Sequence, residues 1–220
     1  MSTHNDPIIG ILGAGRVGTA IARQAIKAGY RVRIATAQPA AENALLVDIV
    51  TPGAIAVEAA EAAAADLVIV AIPLHKYRTL NPDDMADRIV IDVMNYWAPV
   101  DGVFDDFESD ARTTSEIVAE LLGRSRVVKT LNHIGYHELE DDDKPAGHAE
   151  RRALALAGDD AAAKTLVAEF IDRLGYDAVD AGPLAAGRAF QPATEVFTGS
   201  HQAAGLRALL RGASALTAAV

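Results

Sequence analysis

The sequence predicts an α/β fold built on a parallel sheet, and three observations support that prediction. Short apolar runs recur along the chain, as expected for strands that are covered on both faces. Segments with helical spacing of apolar residues separate these runs. The first run ends at a glycine-rich turn, residues 13–18, which opens the first helical segment. Strands that alternate with helices in this way form parallel sheets with right-handed crossovers.

The first three elements form a βαβ unit. A strand is predicted at 7–12, and apolar residues then recur at helical spacing from Val17 to Ala28. Gly29 is a typical residue for the end of this helix. A second strand is predicted at 31–36.

The alternation continues to the end of the chain. Further strands are predicted at 54–57, 67–72, 89–94, 127–129, 152–157 and 177–181. Further helices are predicted at 39–49, in the alanine-rich run that ends at 65, at 114–122, at 161–174 and in the C-terminal segment. We expect a doubly wound parallel sheet of the Rossmann type in residues 1–135 and a small C-terminal α/β domain in residues 150–220. The charged stretch 138–150 between them is interpreted as a solvated linker.

The composition excludes several classes of protein. The 220 residues carry a net charge of −10 without a basic cluster, so no nucleic-acid partner is expected. The chain has no cysteine, which excludes disulfides and thiolate nucleophiles. It shows neither a signal peptide nor an apolar run long enough to span a bilayer, so we expect a cytoplasmic protein without a membrane partner. No metal site is predicted, because Gly135 argues against a helix that would bring His133 and His137 together.

The glycine-rich turn has the spacing of a phosphate-binding loop. Gly13 permits a tight turn, Gly15 lets the backbone approach a pyrophosphate, and Gly18 lets the helix pack close to the strand. The start of the helix adds free N–H groups and a partial positive charge. The alternative is a tight strand-to-helix turn without a ligand. The residues predicted to hold the cofactor here are Gly13, Ala14, Gly15, Arg16, Val17 and Gly18.

The end of the second strand indicates which dinucleotide binds. NAD sites usually carry an acid at this point, whereas this chain has Ala35, Thr36, Ala37 and Gln38. A 2′-phosphate would not be repelled there, and Thr36 could donate a hydrogen bond to it. Arg31 or Arg33 would add positive charge if they do not simply face solvent. The sequence therefore favours NADP over NAD.

Polar residues follow several other strands. Ligands of open α/β sheets bind beyond the carboxyl ends of the strands, so these residues are candidates for the nicotinamide end of a cleft. Each candidate also has a structural explanation. Pro73 could simply end a strand, Asn95 could cap a helix or form a turn, and Lys129 could be a solvated charge. Isolated histidines are often structural. Trp97 either stacks on a flat ring or covers the core. The candidates for cofactor contacts are Ile72, Pro73, His75, Asn95, Lys129 and Asn132, with His75 and His133 as candidate catalytic residues.

All of these residues except the two histidines lie in motifs by which the chain resembles the coenzyme F420-dependent NADP oxidoreductases, from residue 8 to about residue 192. The opening motif, residues 9–18, is common to Rossmann proteins, and those later in the chain are more specific. In the family a hydroxyl residue is followed by arginine after the second strand, whereas here Thr36 is followed by Ala37. The matching segments are 9–18, 70–73, 91–95, 127–132, 157–160 and 180–184.

The resemblance implies a cleft between two domains, a homodimer and direct hydride transfer between NADP(H) and F420 or a flavin-like acceptor. That chemistry depends on positioning more than on an acid or base. A second interpretation keeps NADPH but reduces an imine or carbonyl, with His75 or His133 as proton donor. A third is a non-enzymatic nucleotide-sensing module that signals through a partner.

Overall fold

The computed structural model describes residues 7–217, and within this range the strands form one mixed sheet. Its order is β3-β2-β1-β4-β5-β6-β7-β8. The predicted α/β fold is confirmed. The strands are β1 (Ile8–Leu12), β2 (Arg31–Ala35), β3 (Ile55–Ala56), β4 (Leu67–Val70), β5 (Ile89–Asp92), β6 (Arg126–Lys129), β7 (Ala153–Gly158) and β8 (Asp177–Asp180).

Helices cover both faces of the sheet. The α-helices are α1 (Arg16–Lys27), α2 (Ala40–Val50), α3 (Ala59–Ala63), α4 (Ala98–Asp101), α5 (Asp105–Glu108), α6 (Thr114–Leu122), α7 (Glu138–Asp141), α8 (Ala161–Arg173), α9 (Glu195–Thr198) and α10 (Ala203–Thr217). Three 3-10 helices span Leu74–Thr79, Pro82–Met85 and Leu184–Phe190. None of the helices in the described part of the chain is long and apolar enough to cross a membrane.

The first six strands along the chain, β1 to β6, are parallel to one another. Their side chains alternate between two buried clusters, so that Ile69 packs on one face of β4 while Val68 packs on the other. Burial on both faces explains why the central strands β1 and β4 are apolar throughout in the sequence. β1 lies between β2 and β4, and the order of the strands reverses at this point.

The C-terminal strands extend the same sheet. β7 pairs with β6 in the antiparallel direction through only two residue pairs, Val128 with Gly158 and Lys129 with Ala157. β8 then pairs with β7 in parallel. β7 and β8 therefore do not build a separate sheet, and the division into domains 1–135 and 150–220 stays a prediction.

The stretch predicted as a linker, 138–150, begins as packed structure. α7 buries Leu139, which is 2% exposed. The carbonyl of Leu139 accepts hydrogen bonds from the side chains of Gln24, in α1, and Tyr176. The interpretation as a solvated linker is therefore wrong for α7. Its acids dominate the local composition, but one leucine among them anchors the helix to the core.

Candidate functional site

The glycine-rich loop lies at the point where the strand order reverses, between the ends of β2 and β4. The N–H of Gly13 donates to the carbonyl of Ala35 at 2.9 Å, and the N–H of Ala71 donates to that of Leu12 at 2.8 Å. Gly13 has a φ of +115°, and a Cβ there would lie 2.4 Å from the carbonyl oxygen of Ala71. Both the backbone conformation and the space require glycine at this position.

The other two glycines of the loop serve different purposes. A Cβ on Gly18 would lie 1.9 Å from the carbonyl oxygen of Gly13, so Gly18 allows α1 to pack against the loop. A Cβ on Gly15 would meet no atom within 4 Å. Packing within the protein therefore does not require glycine at position 15. The open space above Gly15 is the approach that a pyrophosphate needs.

The start of α1 is open to an anion. Gly15 is its N-cap and has no side chain to cap the helix. The first N–H groups of a helix lack intrahelical acceptors and attract negative charge. Thr19 does not compete for a ligand, because its hydroxyl donates to the carbonyls of Gly15 and Arg16. Arg16 is exposed, and its guanidinium lies 3.5 Å from the hydroxyl of Tyr136.

A cavity of about 640 Å³ opens beside this loop. Its volume is within the range of small-molecule sites. The structure brings six of the predicted cofactor residues to this cavity: Gly13, Ala14, Gly15, Thr36, Ile72 and Pro73. Loop, helix start and cavity together fit a dinucleotide, since each offers what a phosphate or a nucleoside requires.

Part of this cavity is lined by residues that were not among the predicted cofactor contacts. The two 3-10 helices after β4 contribute Lys76, Thr79, Asn81 and Asp84. The segment has no apolar periodicity that would have predicted its path, although Asn81 before Pro82 is a recognisable N-cap signal. Leu46 of α2, 53% exposed, adds an apolar surface to the same cavity.

The end of β2 has no acid, as its sequence shows. The hydroxyl of Thr36 accepts from the N–H of Gln38 at 3.0 Å, which folds the chain into a turn at the cavity. Arg33 lies 3.6 Å from Glu61 and does not line the cavity. Arg31 lies at the opposite end of β2. Neither arginine supplies charge at Thr36.

Asn95 and Asn132 join the ends of β5 and β6. The side-chain amide of Asn95 donates to the carbonyl of Asn132 at 2.7 Å, and that of Asn132 donates to Oδ1 of Asn95 at 3.0 Å and to the carbonyl of Phe190 at 2.9 Å. Asn132 is only 5% exposed. These contacts account for Asn132 without a ligand. Asn95 is half-buried and keeps one amide hydrogen free of the contacts described here.

His133 is a structural residue in this arrangement. Its Nε2 accepts from the N–H of Ala155 in β7 at 3.0 Å, so its Nδ1 carries the proton and faces Oδ1 of Asn132 at 3.2 Å. Burial, followed by the positive charges of Arg152, Lys129 and His201, lowers the pKa of His133 to about 3. A neutral imidazole with both nitrogens engaged does not fit the proton donor expected from the sequence.

Lys129 is also buried, with 1% of its side chain exposed. Its ammonium lies 3.5 Å from Asp92 and donates to the carbonyl of Met94. Asp92 in turn accepts from the hydroxyl of Ser115 at 2.7 Å. Burial lowers the pKa of Lys129, and the charge of Asp92 acts in the opposite direction. These partners do not fit the cofactor contact expected of Lys129, because its ammonium is buried and contacts groups of the protein itself.

His75 and Trp97 remain at the surface. The ring of His75 stacks on Phe104, with centroids 5.6 Å apart and planes at 9°. His75 is exposed and lies on the same 3-10 helix as Lys76. Trp97 is 44% exposed, so it does not simply cover the core. His75 is thus the one of the two candidate catalytic residues that a substrate can reach.

Two solved structures are similar to this chain over most of its length. A hypothetical protein from Sinorhizobium meliloti is 29% identical, with a TM-score of 0.74 over 89% of this chain and 95% of its own. A candidate F420-dependent NADP reductase from Arthrobacter sp. FB24 is 26% identical, with a TM-score of 0.68 over 83% of this chain and 87% of its own.

A curated relative is Metalloreductase STEAP3 of Rattus norvegicus. It is 24% identical over 184 residues, which are 83% of this chain. The match covers 35% of STEAP3, so this chain spans about a third of that protein's length.

A family model covers the loop and cavity described above. Residues 8–96 match the family described as NADP oxidoreductase, coenzyme F420-dependent. The matched range runs from β1 to the residues after β5 and includes the walls of the cavity. Over residues 8–96, the chain is thus similar to this family of NADP-dependent oxidoreductases.

Proposed function

We propose that the protein transfers a hydride between NADP(H) and a flavin-like acceptor, with coenzyme F420 as the first candidate. The observation that carries the proposal is the glycine-lined cavity next to a β2 end without a carboxylate. A ribose 2′-phosphate meets no acid there. The family description and the Arthrobacter neighbour support F420 as the first acceptor to test.

The residues around the cavity would hold the cofactor by its pyrophosphate and its adenine. The open N-terminus of α1 and the space above Gly15 receive the pyrophosphate, and Leu46 offers an apolar surface to the adenine. Ile72 and Pro73 continue the same wall. When bound, the nicotinamide supplies or accepts the hydride.

The environment beyond β5 and β6 favours an acceptor that needs no proton relay. His133 and Asn132 are committed to hydrogen bonds within the protein, and Lys129 is committed to Asp92 and Met94. Hydride transfer between two flat rings depends on placing them face to face, and binding supplies that placement. Reduction of a carbonyl or imine would also require a proton donor within reach.

The test is to mix the protein with NADPH and oxidised F420 and to follow the loss of the visible absorbance of F420. We expect F420 to be consumed only when protein is present. FMN and FAD are assayed in parallel as alternative flavin-like acceptors. If none of the three is reduced at any protein concentration, the proposed acceptor class is wrong.

A second candidate is NADPH-dependent reduction of an imine or carbonyl with His75 as proton donor. The exposed, stacked imidazole of His75 is the observation that favours it. A panel of imines and carbonyls is assayed with the wild type and with His75→Asn. Turnover that His75→Asn abolishes, with NADPH binding unchanged, would support this candidate over the first. The homodimer and the cytoplasmic location expected from the sequence stay predictions.

A further inference from the structure

The end of β2 leaves a 2′-phosphate without a cation. Thr36 and Ala37 line the cavity, but Arg33 is held by Glu61, and Arg31 lies at the far end of the strand. The hydroxyl of Thr36 carries no charge and would leave a phosphate of nearly two negative charges uncompensated. A cationic donor adds charge attraction to its hydrogen bond, so a selective site needs a positive group nearby.

We propose that Lys76 is this positive group and sets the preference of the site for a 2′-phosphorylated adenosine. Lys76 lines the same cavity as Thr36 and Ala37. This inference rests on the proposed NADP(H) site and adds the residue that would bind the 2′-phosphate of the cofactor.

The local structure presents Lys76 to the cavity. Leu74 and Tyr77, which flank it on the 3-10 helix, are 1% and 4% exposed and anchor that helix to the core. The hydroxyl of Tyr77 donates to Asp106 at 2.8 Å, which fixes the helix from its other side. Lys76 is exposed between these anchors.

The charge of Lys76 is available. Its neighbour Arg78 is paired with Asp106 at 2.9 Å, whereas the ammonium of Lys76 has no partner among residues 7–217. Among the described residues that line the cavity, Lys76 is the one cation and Asp84 the one acid. Lys76 therefore decides whether the cavity accepts or repels an additional phosphate.

Asp84 provides the opposing influence. It lies on the second 3-10 helix, Pro82–Met85, and lines the same cavity. Near a 2′-phosphate its carboxylate is unfavourable, so its removal strengthens binding. If Asp84 instead held the ribose diol of an unphosphorylated nucleotide, its removal would weaken binding of that nucleotide.

The experiment measures binding of two fragments, adenosine 2′,5′-bisphosphate and adenosine 5′-monophosphate, by calorimetry. Binding of fragments does not depend on hydride transfer, so this test and the F420 assay fail independently. We expect Lys76→Gln to weaken the bisphosphate about 10- to 100-fold, the range typical of hydrogen bonds to charged groups. Binding of the monophosphate stays within about twofold. Lys76→Arg retains most of the preference.

Two further variants serve as controls. Arg78→Gln removes a neighbouring cation that is paired and does not line the cavity, and it leaves both affinities unchanged. Asp84→Asn strengthens the bisphosphate. The effect of Lys76→Gln shrinks as salt is raised, because an exposed charge is screened. Equal losses of both fragments in Lys76→Gln, no loss of the bisphosphate, or a wild type without preference for the bisphosphate would each overturn the proposal.

Discussion

The three glycines of the loop at residues 13–18 differ in what surrounds them, in line with the separate roles that the sequence predicts for them. Gly13 and Gly18 face backbone carbonyls that a Cβ would strike, and Gly15 faces open space. The backbone of Gly15 has a φ of −77°, which any residue can adopt. Two of the glycines therefore serve the fold, and the third serves the ligand.

This difference predicts opposite results for two alanine substitutions. Gly18→Ala should lower the free energy of unfolding by more than about 3 kcal/mol, because overpacking against backbone has no easy relief. Gly15→Ala should change it by less than about 0.5 kcal/mol but weaken NADPH binding about tenfold or more. Chemical denaturation and titration of NADPH fluorescence measure the two effects. Equal NADPH affinity in Gly15→Ala and wild type would show that the pyrophosphate does not pass this residue.

His133 shows how one side chain can replace part of a sheet ladder. β6 and β7 share only two residue pairs. Beyond them, the N–H of Ala155 is satisfied by Nε2 of His133, and its carbonyl by the hydroxyl of Thr130 at 2.7 Å. A buried N–H without an acceptor costs about 1–3 kcal/mol, so the two side chains stabilise the place where the sheet changes direction.

At the scale of elements, α7 decides how the segment after β6 packs. Glu140 pairs with Arg23, and Lys27 pairs with Asp143 at 2.7 Å. Together with Leu139, these contacts hold the chain against α1 before it enters β7. The first part of the predicted linker 138–150 is therefore packed structure, although its charged composition favours a solvated loop.

The packing of α7 predicts the cost of Leu139→Ala. Truncation of a buried leucine leaves a cavity, and we expect a loss of about 2–5 kcal/mol in the free energy of unfolding. Leu45→Ala in α2 is the matched control, because Leu45 is 72% exposed, and its effect should stay within about 0.5 kcal/mol. Urea denaturation measures both. If the two variants lose similarly little free energy of unfolding, Leu139 does not anchor α7 to the core.

At the scale of the whole molecule, the pKa of His133 links stability to pH. An unfolded histidine has a pKa of about 6.5, whereas burial and three positive neighbours lower that of His133 to about 3. The unfolded state therefore binds a proton first as the pH falls. The stabilisation by neutral His133 is complete above about pH 6.5 and is lost progressively towards about pH 3.

The measurement is the free energy of unfolding of wild type and His133→Asn between pH 7.5 and 4. We expect the variant to be less stable by about 1–3 kcal/mol at the upper end, because the N–H of Ala155 loses its acceptor. The difference should narrow as the pH falls. His75→Asn, at an exposed histidine, is the control. Parallel curves for wild type and His133→Asn would mean that the imidazole is not held neutral.

The amino-acid pattern was enough to predict those features that a few consecutive residues specify. Alternating apolar runs and helical segments predicted the strands of the parallel sheet, and the spacing of Gly13, Gly15 and Gly18 predicted the phosphate loop. Thr36 without an acid beside it indicated the nucleotide. Each of these is a local pattern, since a strand, a turn or a helix start is specified within a few residues.

Contacts between distant parts of the chain determine which polar residues at the strand ends can bind a ligand. His133 is held by Ala155, 22 residues away, and Leu139 by Gln24, 115 residues away. Asn132 is buried with Asn95 and Phe190 as partners, and Lys129 is buried beside Asp92. The 3-10 helix after β4, in contrast, brings Lys76 to the cavity. Apart from Leu139, the sequence shows these as polar residues near strand ends. Burial and partners differ among them because they depend on contacts between distant parts of the chain.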